Sequence, residues 1–81
     1  MKIEVLFFAQ LKEAYGSGHM SLELPIEAKV SDAVHKVMGE TSLRPWSGLP
    51  LRYAVNEEFK SADTALRPND RLAFLSPVAG G

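Results

Sequence analysis

Apolar side chains first alternate and then crowd together along residues 2–9, Lys-Ile-Glu-Val-Leu-Phe-Phe-Ala. In an extended chain, successive side chains point to opposite faces. Ile3, Val5 and Phe7 therefore share one face, and Lys2, Glu4, Leu6 and Phe8 share the other. The pattern predicts a strand whose second face turns from polar to apolar along its length. Gln10 to Tyr15 suit one or two helical turns, stopped by Gly16-Ser17-Gly18. Alternation then returns, with Met20, Leu22, Leu24 and Ile26 set against Ser21, Glu23, Pro25 and Glu27. That is a half-buried strand, with Pro25 near its end where a missing donor is tolerated.

The period then changes. Val30, Ala33, Val34, Val37 and Met38 recur at the spacing of an amphipathic helix. Ser31 is a candidate cap unless the helix starts a residue or two earlier; Asp32 suits the positive end of its dipole and Gly39 marks its expected close. His35 and Lys36 lie off the stripe and are expected in solvent. Residues 40–50 hold two prolines and a glycine and read as a loop, with Trp46 as a lid on the small core. Leu51, Tyr53 and Val55 alternate with Arg52, Ala54 and Asn56 as a third strand. Asn56-Glu57-Glu58 is a turn, followed by Phe59. Ala62 to Leu66 suit a short helical turn, and Arg67 to Asp70 a tight turn into a last strand, residues 71–75.

The order strand, strand, helix, strand, strand predicts an α+β roll. A right-handed return sets the final strand parallel to the first. The expected architecture is the ubiquitin-like β-grasp: a mixed sheet with one main helix packed across it. Residues 1–75 form that domain, and residues 76–81, Ser-Pro-Val-Ala-Gly-Gly, form an extended tail. Pro77 has no N–H and ends the ladder. Gly80 and Gly81 lack Cβ and are as slender as a chain can be. Six extended residues reach about 20 Å. The candidate reactive group is the α-carboxylate of Gly81; the bland alternative is a frayed end.

Composition narrows the chemistry. Eighty-one residues make one core with a thin stability margin. A net charge of −1, without a basic run, gives no reason to expect nucleic acid. The absence of cysteine removes disulfides, thiolate metal sites and a thiol nucleophile. His19 and His35 lie far apart, so no metal site is expected. No nucleophile elbow or phosphate loop is present, and Glu57/Glu58 and Glu23/Glu27 read as solvated surface. With no apolar run long enough for a membrane span and no signal peptide, a soluble cytoplasmic protein is expected. The body carries no recognisable catalytic side chains. If first and last strands are neighbours, Phe8 and Leu75 share an outer apolar patch, with Phe59 close by, unless a loop covers it; such a patch suits a partner.

Together these residues resemble the small, sulfur-carrying subunits of molybdopterin synthase, over essentially the whole chain. The likeness rests on Val5-Leu6-Phe7-Phe8-Ala9, the helix stripe from Val30, Tyr53-Ala54-Val55-Asn56, and Leu72 to Gly81. That family ends Pro-Pro-Val-x-Gly-Gly after an aromatic-rich strand; here Ser76 replaces the first proline and Leu75 an aromatic. The resemblance implies that an ATP-using adenylating enzyme activates Gly81, and that a persulfide donor converts it to a thiocarboxylate. Pro77, Val78, Ala79 and Gly80 would then thread into the large subunit, where the sulfur passes to cyclic pyranopterin monophosphate. It also implies that Phe8, Phe59 and Leu75 contact the large subunit in a heterotetramer, and that the chain binds no cofactor of its own. Rival readings are the carrier of the thiamine thiazole pathway and a ubiquitin-like protein modifier.

Overall fold

The alternation in the first residues settles which side of the sheet becomes the interior. Ile3, Val5 and Phe7 are fully buried, and they lie on β1 (Lys2–Phe7). A short helix α1 (Ala9–Tyr15) follows, closed by Gly16, whose φ of 93° is the left-handed cap that glycine adopts without Cβ strain. Strand β2 (His19–Glu23) returns antiparallel to β1. The main helix α2 (Val30–Glu40) crosses one face, and a 3-10 turn (Arg44–Trp46) ends the excursion. Strands β3 (Arg52–Val55), β4 (Glu58–Lys60) and β5 (Arg71–Leu75) complete one five-stranded sheet of order β2-β1-β5-β3-β4. The computed structural model describes residues 1–46 and 48–75; the expected tail, 76–81, lies outside them.

Strand β5 runs parallel to β1, with Leu72 beside Val5 and Phe74 beside Phe7, and antiparallel to β3. The architecture is the expected α+β β-grasp, with the last strand at the centre. Phe74 is fully buried and meets Phe7 and Tyr53 edge-on, at ring-centroid distances of 5.6 and 5.4 Å. Val30, Ala33, Val37 and Met38 of α2 close the core from above, and Leu11, Leu43 and Leu66 seal its margins. Trp46 is half-buried and packs on this core, as a lid should.

Several expectations need correction. Ile26 is 72% exposed, not a strand residue. Strand β2 stops at Glu23; Pro25 offers no donor, the Ala28 amide donates to the Pro25 carbonyl at 3.2 Å, and Ile26 sits on the resulting turn. Gly39 does not end α2, which runs on to Glu40; the Thr41 hydroxyl donates to the Val37 carbonyl at 2.7 Å and closes it instead. Of the two starts the sequence leaves open, the earlier one holds: the N-cap is Lys29 rather than Ser31, and its amide donates to the Asp32 carboxylate at 2.8 Å. Lys36 is half-buried rather than free in solvent, and its ammonium donates to the Glu23 carbonyl at 2.7 Å. Residues 62–66 form no helix. Their carbonyls accept from the first turn of α2 (Val30 to Thr64 and Ser31 to Ala62, both 2.9 Å), satisfying helix-end donors that would otherwise be orphaned. Phe59 belongs to the extra strand β4, reached through a two-residue turn in which Asn56 and Glu57 both have positive φ, 50° and 72°.

Candidate functional site

The sheet's outer face, away from α2, is divided by register into rows. Leu6 pairs with Ala73, Ala73 with Ala54, and Ala54 with Phe59, giving one apolar row across four strands. Toward the start of β1 and β5, the next residues on this face are Lys2, Glu4 and Arg71, joined by Ser21 and Glu23 from β2. Toward their far end come Leu75 and its register partner Arg52. The face is therefore polarised, with charge at one end and apolar side chains at the end where β5 leads into residue 76.

The predicted contact residues fall at this apolar end. Phe8 continues β1 in extended conformation, φ −130° and ψ 158°, and is 47% exposed; Phe59 is 62% exposed. Leu75 is half-buried. No loop among the described residues buries the two phenylalanines, since Trp46 packs on the core instead. Pro77, Val78, Ala79, Gly80 and Gly81 lie outside the described residues. Sequence reasoning missed Ala54 and Arg52 as members of this face. The two-residue turn at Asn56-Glu57 was the available signal: it demands a hairpin, and the hairpin brings Phe59 beside Ala54.

Arg52 shapes the apolar end. Its guanidinium carbon lies over the Phe59 ring, 4.7 Å from the centroid, a cation–π contact between two exposed side chains. At the charged end, Nδ1 of His19 stands 3.1 Å from the Glu4 carboxylate, both solvent-accessible. A shallow groove there is lined by Lys2, Glu4, Leu6, His19 and Arg71, away from the root of the tail. Glu23, Glu27, Glu57 and Glu58 are all exposed, so no carboxylate pair sits in an apolar pocket. Tyr53 has its phenol pKa raised by burial, within the aromatic cluster under the sheet. The exposed apolar end of the outer face suits contact with a partner surface. Among the described residues no helix is long and apolar enough to cross a membrane, and no group of three metal-ligating side chains forms.

A family model described as the ThiS family matches residues 5–81. The chain belongs to the ThiS family. Curated relatives of this ThiS-family chain include the molybdopterin synthase sulfur carrier subunit of Escherichia coli, 35% identical over 82 residues and covering 98% of this chain and 99% of the relative. The protein of the same name from Dictyostelium discoideum is 29% identical, covering 99% of this chain and 96% of its own. Among solved structures, SAMP1 of Haloferax volcanii superposes with a TM-score of 0.87 at 26% identity, over the full length of both chains. A chain from the complex of subunits 1 and 2 of molybdopterin-converting factor of Helicobacter pylori has a TM-score of 0.72 at 22% identity, again over both full lengths, and shares the fold.

Proposed function

We propose that this chain is the sulfur carrier subunit of a molybdopterin synthase, with residues 1–75 as the body and residues 76–81 as the reactive tail. The observation that carries the reading is the near full-length match to two curated carriers of that name. The polarised outer face supports it, because exposed apolar side chains gather where the strand before the tail ends.

In this reading the chemistry belongs to the terminus. A carboxylate is a poor electrophile. The Gly81 carboxylate attacks the α-phosphorus of ATP on an adenylating enzyme, releasing pyrophosphate and forming an acyl-adenylate. The outer sulfur of a persulfide donor then attacks the acyl carbon and AMP leaves, giving an acyl disulfide. A thiol reductant attacks the donor's sulfur, breaks the S–S bond, and leaves the thiocarboxylate on Gly81 and a disulfide on the donor. Gly80, Ala79, Val78 and Pro77 thread this group into the large subunit, where it donates sulfur to cyclic pyranopterin monophosphate. Phe8, Phe59 and Leu75 hold the carrier on that subunit, turning an encounter of dilute reactants into an oriented one. The carrier binds no cofactor; ATP is consumed by its activating partner, in the cytoplasm.

A second reading is favoured by the likeness to SAMP1 of Haloferax volcanii, which is by name a small archaeal modifier protein. A modifier would join Gly81 to a lysine amine. Intact mass spectrometry after incubation with the adenylating enzyme, ATP, a persulfide donor and a thiol reductant separates the two. The carrier gains the mass of one oxygen exchanged for sulfur, and a chain lacking Gly81 does not. Isopeptide-linked adducts without the sulfur product would establish the modifier, and an unchanged mass would overturn both.

A further inference from the structure

Among the described residues, Arg52 is the one charged side chain placed by register at the apolar end of the outer face. Lys2, Glu4, Glu23 and Arg71 lie toward the opposite end. It takes part in neither ion pair found among the described residues, which join His19 to Glu4 and Lys60 to Glu58. Lys60 and Glu58 do not share its face: they pair with Tyr53 and Val55, whose side chains point toward α2. The Arg52 guanidinium instead rests on the Phe59 ring at 4.7 Å. Stacking satisfies the flat face of a guanidinium and leaves its N–H edge, a fork matched to a carboxylate, free to be recognised. Leu75, across from it in register, is the residue from which the tail departs.

We propose that the protein which covers this face presents an aspartate or glutamate to Arg52, beside the point where the tail enters. The occupant is the large subunit, so the inference rests on the function proposed above; it adds a required chemistry for that partner. Its docking surface is an apolar socket for Leu6, Phe59 and Leu75, with one carboxylate set at the socket's edge against the stacked guanidinium. Closing the interface removes water from the pair and strengthens it. The contact with Phe59 biases Arg52 toward this position before binding, which lowers the ordering cost of making a bidentate contact.

The test measures binding of the purified large subunit from the same organism by calorimetry and by association kinetics, at low and at high salt. The carriers compared are the unaltered chain, Arg52→Lys, Arg52→Met and Arg52→Glu. Arg52 is exposed, so thermal unfolding should confirm that each variant folds. Expected for Arg52→Met is a loss of about tenfold or more in affinity, with a weaker salt dependence of the association rate. Arg52→Lys restores the salt dependence but only part of the affinity, because an ammonium cannot form the fork; Arg52→Glu binds more weakly than Arg52→Met. If Arg52→Met binds within about threefold of the unaltered chain at both salts, Arg52 merely covers Phe59 and the inference fails while the proposed function stands. If the unaltered chain does not bind, both fall.

Discussion

Tyr53 links burial to acidity at the scale of one residue. Its ring packs edge-on to Phe74, and burial raises the phenol pKa above the ordinary 10.0. A raised pKa leaves this contribution to stability intact below pH 10.0 and removes it as pH climbs through the folded value, since the unfolded chain ionises first. Tyr53→Phe should therefore flatten the alkaline fall of Tm relative to the unaltered protein while leaving the neutral range nearly unchanged. Parallel Tm–pH curves for the two proteins would contradict this. Residues whose neighbours obey a simple period were legible in the sequence: Ile3, Val5 and Phe7 are buried as alternation requires, and so are Val30, Ala33, Val37 and Met38. Ile26 was not, because alternation says nothing of where a strand stops. Lys36 was not, because a long side chain off the apolar stripe can still bend back to a backbone carbonyl.

Among the elements, β4 is the least predictable and the most consequential, since it brings Phe59 onto the outer face. It is three residues long, too short for a period, and it depends on the turn at Asn56 and Glu57. Asn56 also ties that turn to the one before β5: its side-chain amide donates to the Asp70 carboxylate at 2.9 Å and its carbonyl accepts from the Arg71 amide at 3.0 Å. Glu57, at φ 72°, holds a left-handed conformation that costs a non-glycine residue about 1–2 kcal/mol. Glu57→Gly removes that strain but adds unfolded-chain entropy of roughly 0.5–1 kcal/mol. A net gain of about 0.5 kcal/mol should raise Tm by about 2–4 °C. An unchanged or lower Tm would mean the turn is not strained. The segment 62–66 misled for a related reason: a short apolar run suits a helical turn, yet its carbonyls are taken by α2, a partner remote in sequence.

At the scale of the whole molecule, the topology was legible because two strands, a helix and two strands with a right-handed return leave few arrangements. The free edge of β2 was not. The Phe7 amide donates to Gly18 and the Leu24 amide to Met1, so antiparallel alternation turns the backbone groups of His19, Ser21 and Glu23 outward. The Ser17 hydroxyl donates to the His19 carbonyl at 3.2 Å and Lys36 donates to the Glu23 carbonyl, covering both ends of this edge. A lysine over an unpaired edge is a common bar to strand-to-strand association. Lys36→Met should therefore promote self-association as concentration rises, as read by sedimentation velocity. Sedimentation identical to the unaltered chain would show that Lys36 does not guard this edge.

The pairing of first and last strands at the centre of the sheet has a consequence for quality. A chain cut short before Leu72, by early termination or by proteolysis, leaves Val5, Phe7 and Val55 without their neighbours Leu72 and Phe74, and exposes two raw strand edges in the middle of the molecule. Such a chain loses two fully buried members of its core and is expected to unfold. Folding therefore vouches for the strand that leads into residue 76, and copies that lack it are open to proteases.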